Sequence, residues 1–143
     1  MDFFDVLVRY ETQLWNYLDH RLAEAGAVSL ATLTGLRVVR RHPGTCRVQE
    51  VRTDLGITVG AASKFVDRLE RDGLVVRSAH PEDRRSSLVT LTSAGDAALD
   101  AAGTVADAAL ADHLAGEHAV PDVTRVLEQL LTALRADAPA AAR

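Results

Sequence analysis

The residues best suited to chemistry in this sequence are cations near the middle of the chain. Lys64 and Arg68 stand one helical turn apart, and Arg84 and Arg85 follow in a polar segment, HPEDRRS, at positions 80–86. Lys and Arg bind phosphate oxygens, and an arginine on a flexible loop can enter the minor groove of DNA. The pattern favours a nucleic-acid surface. For an isolated Asp-Arg-Arg, the alternative is a solvated charged loop.

The distribution of charge along the chain supports a nucleic-acid surface, although the net charge of the chain does not. The chain has a net charge of -4 at pH 7, which by itself disfavours a nucleic-acid partner. Residues 35–92, however, hold 11 of the 16 Lys and Arg residues and only 7 of the 20 acidic ones. A central basic block between acidic ends predicts one basic face, and a local positive field is what a phosphate backbone meets. Chance scatter over a mixed surface is the alternative.

The segment 48–59, VQEVRTDLGITV, has the pattern of a helix-turn-helix. Gly56 permits the sharp turn, Ile57 anchors the corner in the core, and Thr58 can cap the second helix. In such a motif the second helix lies in the major groove of DNA. We predict that its buried stripe consists of Val59, Ala62, Val66 and Leu69.

The candidate DNA-binding residues lie on the second helix, the strand after it and the polar loop. They are Thr58, Gly60, Ala61, Ser63, Lys64, Arg68, Arg77, Asp83, Arg84 and Arg85. Gly60 and Ala61 are short, so they let the backbone approach DNA and offer at most a methyl contact to thymine. Direct base readout is therefore expected to be sparse, with sequence preference resting on DNA shape and on the loop.

The remaining segments predict a mainly α protein with a small β-hairpin wing. Apolar spacing indicates a first helix ending near Gly26, a second helix capped by Ser29, strands at 74–77 and 87–91, a helix from 92 or 93 to about 115, and a last helix opened by Pro121. The predicted fold is a winged helix-turn-helix with N- and C-terminal dimerisation helices.

The predicted organisation is a dimerisation helix at 1–28, the DNA-binding region at 29–92, dimerisation helices at 93–136 and a disordered tail at 137–143. The apolar stripes of the first and last helices exceed what so small a domain needs to cover itself. We therefore expect a homodimer. The alternative is that both helices complete a monomeric core.

Three motifs carry a resemblance to a known family. VDRLERDGLV at 66–75, PEDRRSS at 81–87 and LTSAG at 91–95 resemble the MarR family of bacterial regulators, over roughly residues 30–95. The resemblance implies a two-fold dimer, a palindromic operator and repression relieved by a small molecule. It also implies that Arg85 is the wing arginine and that Asp83 is the acid that steadies it.

The chain departs from the family pattern at two places. Ser63-Lys64 stands where Thr-Arg or Ser-Arg is usual, which replaces a forked donor with a point charge. Arg52 stands where a small residue is usual. Either its stem lies along the surface while its head meets a phosphate, or the helix packs differently there.

A cleft for an effector is expected between the dimerisation arm and the DNA-binding region. Trp15 and His20, with Arg41 and His42, would suit an aromatic or amphipathic anion, because they combine apolar walls with cationic groups. The alternative for Trp15 is an ordinary core position.

Other classes of function are disfavoured. The sequence has no phosphate-binding glycine loop, no nucleophile elbow and no cluster of carboxylates or histidines, so we expect no enzyme, catalytic residue, cofactor or metal site.

Cys46 is expected to be a buried inert thiol; the alternative is a thiol that the neighbouring Arg47 makes oxidisable. No secretory signal or membrane span is visible, which predicts a cytoplasmic protein. The remaining rival is a winged-helix module that contacts only proteins.

Overall fold

Six helices and one β-hairpin make up the residues that this computed structural model describes, 2–83 and 85–137. In chain order they are α1 (Phe3–Glu24), α2 (Leu30–Arg41), α3 (Val48–Leu55), α4 (Val59–Arg71), β1 (Val75–Ala79), β2 (Ser87–Leu91), α5 (Ser93–His113) and α6 (Val120–Asp137). The predicted fold, mainly α with a hairpin wing, is confirmed. Strand β1 lies one to two residues later than predicted, and Asp137 belongs to α6 rather than to the tail. The rest of the predicted tail, 138–143, lies outside the described residues.

Side-chain caps set the helix boundaries that the sequence predicted. The hydroxyl of Ser29 accepts a hydrogen bond from the Thr32 N–H at 3.2 Å, and that of Thr58 accepts one from the Ala61 N–H at 3.2 Å. These bonds satisfy N–H groups that lack partners in the first turn of a helix. Between α3 and α4, Gly56 takes a left-handed conformation with φ of 63°, which L side chains rarely adopt. The turn of the helix-turn-helix is therefore specified locally.

Among the described residues, the buried core of the first helices and the hairpin is apolar apart from one thiol. Its largest fully buried side chains come from α1, α2, α3, α4, β2 and the loop before α3, namely Leu22, Leu33, Leu36, Val38, Cys46, Val51, Val66, Leu69 and Val89. The predicted stripe on α4 is confirmed for Ala62, Val66 and Leu69, but wrong for Val59, which is 59% exposed. Val59 is the first residue of α4, and helix side chains slope toward the N-terminus, so it projects beyond the core.

The hairpin is tied to the helix-turn-helix through its second strand. Strands β1 and β2 are antiparallel, with Val75 opposite Leu91 and Ala79 opposite Ser87. On the other side of β2, the N–H of Val89 donates to the carbonyl of Cys46 at 2.8 Å, just before α3 begins. The wing is thus held by backbone bonds against the start of α3.

The chain divides into two compact units, and the division falls within α5. The first unit ends at Ala109 and the second begins at Leu110. In the second unit, α6 carries exposed apolar side chains in the single chain, namely Val123, Val126, Leu130, Leu131 and Leu134. None of the helices described is long and apolar enough to cross a membrane.

Helices α2 and α4 approach closely at Gly35. A Cβ atom added there would lie 2.2 Å from Cε1 of the Phe65 ring. We expect Gly35→Ala to lower the free energy of unfolding by about 1–3 kcal/mol, because the ring must leave its position.

Gly103→Ala is the matched control, since it is also a helical glycine and its added Cβ would have only the Arg37 Nη2 atom nearby, at 3.9 Å. We expect it to raise the free energy of unfolding by about 0.5–1 kcal/mol through helix propensity. Urea denaturation of the two variants measures both values. Equal effects at the two positions would contradict the close packing of α2 on α4.

Candidate nucleic-acid interface

One face of α4 is buried and the opposite face carries the candidate contacts. Lys64 and Arg68 are exposed, as are the short residues Gly60 and Ala61, while Ser63 is half-buried. The guanidinium carbon of Arg68 lies 5.2 Å from the centre of the Phe65 ring, a cation–π contact that orients the side chain. Together with the exposed Thr58, these residues occupy the side of the helix that a DNA groove would meet.

Val59 is a surface feature that sequence reasoning missed. Its isopropyl group is exposed beside Gly60 and Ala61, on the first turn of α4. Its place directly after the Thr58 cap was the available signal, because the first turn of a helix extends beyond the elements that bury its middle. The exposed first turn of α4 is therefore more apolar than expected.

The wing tip is held by backbone hydrogen bonds. A carboxylate oxygen of Asp83 accepts from the backbone N–H of Arg85 at 3.0 Å, and the Asp83 carbonyl accepts from the Ser86 N–H at 3.1 Å. Among the described residues Asp83 forms no ion pair with a guanidinium, so its observed role is to fix the backbone of the turn. Arg85 itself is exposed, and Arg84 lies outside the described residues.

Arg77 binds acidic side chains of α4 rather than standing free on the wing. Its Nη1 atom lies 2.6 Å from Oδ1 of Asp67 and 3.0 Å from Oε2 of Glu70, and its backbone N–H donates to Oε1 of Glu70 at 3.2 Å. Burial opposes the charged form, but the hydrogen bonds to both carboxylates outweigh it and raise the pKa of Arg77. The side chain is only 24% exposed. Arg77 therefore joins β1 to α4, and direct contact with DNA stays a prediction.

Much of the positive charge in the central block is neutralised within the fold. Arg37 pairs with Asp107 at 2.9 Å, and Arg40 pairs with Asp96 at 2.8 Å and Asp100 at 2.6 Å. The interpretation of residues 35–92 as one basic face is thus too simple. In the described part of the chain, the cations of this block that form no ion pair are Arg47, Arg52, Lys64, Arg68, Arg71 and Arg85.

The four predicted effector residues lie in different surroundings. His20 contacts Glu24 at 3.6 Å on α1, and Trp15 is partly exposed. Arg41 and His42 both contact Oδ2 of Asp54 at 3.1 Å and so tie the end of α2 to α3. Burial alone would raise the pKa of Asp54, but the hydrogen bonds from His42 and Arg41 lower it overall.

A cavity of about 610 Å³ lies instead between α2 and α5. Its lining combines three arginines with apolar and acidic side chains, namely Arg37, Arg40, Arg41, Leu99, Asp100, Gly103, Thr104 and Asp107. Of the four predicted effector residues, only Arg41 lines it.

Cys46 is buried beneath the start of α3. Burial raises the pKa of its thiol to about 11, and the nearby charges of Glu50 and Asp54 add to the shift. Because the thiolate is the reactive form, this favours the interpretation of an inert thiol at neutral pH.

Three comparisons with known proteins agree with this geometry. Residues 28–87 match the sequence model of the MarR family. YfiV, an uncharacterized HTH-type transcriptional regulator of Bacillus subtilis (strain 168), is 30% identical over 98 residues, which cover 62% of this chain and 61% of YfiV. The chain thus spans about three fifths of the length of this relative.

The fold is similar to that of the transcriptional repressor CouR. The structure of CouR bound to a 23-mer DNA duplex has a TM-score of 0.79 and 27% identity, covering 93% of this chain and 92% of that chain. CouR from Rhodococcus jostii RHA1 bound to p-coumaroyl-CoA has a TM-score of 0.78 and 24% identity, covering 90% and 91%.

The contact of Arg77 with Glu70 can be tested by a double-mutant cycle. Because one charge-assisted hydrogen bond joins the two partly enclosed side chains, we expect Arg77→Gln and Glu70→Gln to couple by about 1 kcal/mol in the free energy of unfolding. The exposed pair of Arg125 with Asp122, at 2.9 Å on α6, is the control and should couple by about 0.3 kcal/mol. Additive effects at Arg77 and Glu70 would show that their ion pair does not hold the wing to α4.

Proposed function

We propose that the chain is a member of the MarR family of transcriptional regulators, to whose sequence model residues 28–87 are similar, and that it is a repressor that binds a palindromic operator in duplex DNA as a homodimer. The observation that carries the proposal is the placement of the exposed Lys64 and Arg68 on one face of a helix whose opposite face is buried. Regulators of this family bind DNA and have no enzymatic activity.

The arrangement suits a helix lying in the major groove. The exposed face of α4 combines two cations with the small surfaces of Gly60 and Ala61, which allow close approach of the backbone. The methyl groups of Val59 add a surface that can meet a thymine methyl. The exposed Arg85 on the wing is suited to a narrow minor groove, where the negative potential is strongest. Sequence preference would then arise from DNA shape as much as from base contacts.

Unpartnered apolar surface at both ends of the chain supports the homodimer. Phe3 and Phe4 on α1 are 65% and 69% exposed, and Leu134 on α6 is 68% exposed. Exposed apolar surface of this kind on each helix is typical of an interface, and a two-fold dimer is the commonest outcome. Two-fold symmetry would place the recognition helices roughly 34 Å apart, one turn of DNA.

An anionic aromatic effector is the ligand class that the cavity between α2 and α5 supports best. Leu99 offers apolar surface, and Arg37 and Arg40 offer cationic groups. Both arginines are held by α5 carboxylates, so an incoming anion would exchange with Asp100 and Asp107 and release α5 from α2. CouR, which binds p-coumaroyl-CoA, provides a precedent for a ligand of this fold.

A winged-helix module that contacts only proteins is the second candidate. Its interface would not need an exposed lysine and arginine on α4 together with an exposed wing arginine. The dependence of binding on salt separates the two candidates, because only phosphate contacts release condensed counterions.

DNA binding is tested by fluorescence anisotropy with a selected operator and a random duplex over a salt series. We expect log K to fall linearly with log salt concentration. Lys64→Ala should weaken both duplexes evenly and reduce the slope by about 1, whereas Arg85→Ala should weaken the operator more and reduce the preference for narrow-groove flanks. Stoichiometric titration should show two chains per operator.

Arg125→Ala, at an exposed arginine of α6 that pairs with Asp122, is the matched control and should retain the slope of the unaltered protein. Binding that ignores salt would favour the protein-contact module. Equal, sequence-independent losses in Lys64→Ala and Arg85→Ala would contradict readout by the wing.

The effector is tested by thermal shift with a panel of aromatic carboxylic acids. A compound that binds the folded state raises Tm in proportion to the logarithm of its excess over Kd. We expect a compound that raises Tm to lose this effect in Arg37→Ala and to keep it in Arg125→Ala. A panel without any shift, or a shift that survives Arg37→Ala, would contradict this ligand class or this cavity.

A further inference from the structure

A second cationic cavity lies between the start of α3 and the wing. It has a volume of about 230 Å³ and is lined by Arg47, Val48, Gln49, Arg85, Ser86 and Ser87. Arg47 and Gln49 belong to none of the sites considered so far. The cavity combines two guanidinium groups with hydroxyl and amide groups, which is the chemistry of an anion site. A water molecule occupies about 30 Å³ of liquid, so the space accommodates a phosphate group with a few waters.

The hydrogen bonds of His80 define which of its ring nitrogens carries the proton. Its Nδ1 atom accepts from the backbone N–H of Glu82 at 3.2 Å and from that of Asp83 at 3.1 Å. Because Nδ1 must offer its lone pair to these donors, the proton of the neutral ring belongs on Nε2. Nε2 is therefore a hydrogen-bond donor.

This assignment leaves two donors facing each other. The Nε2 atom of His80 lies 3.0 Å from the Nη2 atom of Arg47, and a guanidinium has only donors. In the described part of the wing and α3, no acceptor joins the pair, and an anionic oxygen placed against both N–H groups would supply one. The carboxylates of Glu50 and Asp83 bind backbone N–H groups, since Glu50 accepts from the N–H of Arg47 at 2.8 Å and Asp83 accepts from that of Arg85.

We propose that Arg47 and His80 bind a phosphate of the DNA backbone beside this cavity, with Ser86 in its wall. The inference rests on the proposed function and extends it, because it adds a backbone contact between the two groove-binding elements. In a helix-turn-helix the first helix crosses the DNA backbone. The start of α3 and the wing would thus hold the phosphate that lies between the major groove occupied by α4 and the minor groove reached by the wing.

The two residues make distinguishable contributions. Arg47 displaces a counterion, so Arg47→Ala should reduce the slope of log K against log salt by about 1 and weaken operator and random duplex alike, by about tenfold. A neutral His80 ring would contribute only a hydrogen bond, from its Nε2 N–H group. His80→Asn keeps a side-chain acceptor for the wing backbone but removes the Nε2 donor, so we expect a loss of about threefold to tenfold with no change in slope.

Anisotropy over a salt series measures both quantities, with Lys64→Ala as the positive reference and Arg125→Ala as the negative one. Thermal denaturation of each variant checks that the fold is retained. If Arg47→Ala kept the affinity and the salt slope of the unaltered protein while Lys64→Ala reduced the slope, the phosphate site would be overturned. The proposed function would remain intact. A flat salt dependence of the unaltered protein would overturn the proposed function itself. Full affinity in His80→Asn would by itself overturn the proposed phosphate contact of His80. This outcome can be measured even if Arg47→Ala is too unstable.

Discussion

The burial of one side of α4 determines which way the candidate DNA-binding residues face. Ala62, Val66 and Leu69 are fully enclosed, and each buried leucine or valine contributes about 1.5–3 kcal/mol relative to an exposed one. A rotation of α4 about its axis would expose this stripe and bury Lys64 and Arg68, at a cost no surface contact could offset. The hydrophobic effect therefore determines the orientation of α4, and this orientation places Lys64 and Arg68 on the exposed face.

Acidic residues have a structural task that explains how an acidic protein can present a basic surface. Asp96, Asp100 and Asp107 on α5 neutralise Arg37 and Arg40, and Asp67 and Glu70 on α4 neutralise Arg77. Pairs as exposed as those of α2 and α5 stabilise a fold only modestly. Within the described part of residues 35–92, however, the arginines that form no ion pair lie at the start of α3, on α3 and α4, and on the wing, where a phosphate backbone would approach.

One helix connects the proposed effector cavity with the base of the wing. The hydroxyl of Thr92 donates to the carbonyl of Gly73 at 2.6 Å and accepts from the N–H of Gly95 at 3.0 Å, so the start of α5 is fixed to the turn between α4 and β1. Two turns or more along the same helix, Asp100 and Asp107 line the cavity. An anion that displaced these carboxylates would shift α5, whose first residues are fixed to the base of the wing. Movement of α5 is therefore a physical route that could couple the effector cavity to the wing.

Local signals made much of the fold predictable from the sequence. Ser29, Gly56 and Thr58 act on backbone groups a few residues away, so the ends of α2, α3 and α4 follow from residue type and spacing alone. The same holds for the apolar stripe of α4 and for the strand that ends in Leu91. Val59 was misplaced because burial depends on what lies beside the first turn, which periodicity does not contain.

The partners of the charged groups were decided by the tertiary structure. Arg37 and Asp107 are 70 residues apart, and Arg47 and His80 are 33 apart, so no spacing rule connects them. The sequence determined which elements form and which side of each is apolar, because capping and periodicity are short-range. Only the packed chain decided which arginines are neutralised, which remain available to DNA, and where two donors face each other without an acceptor. The electrostatic energy of a charged group depends on the charges within a few ångströms of it, and these come together only after folding.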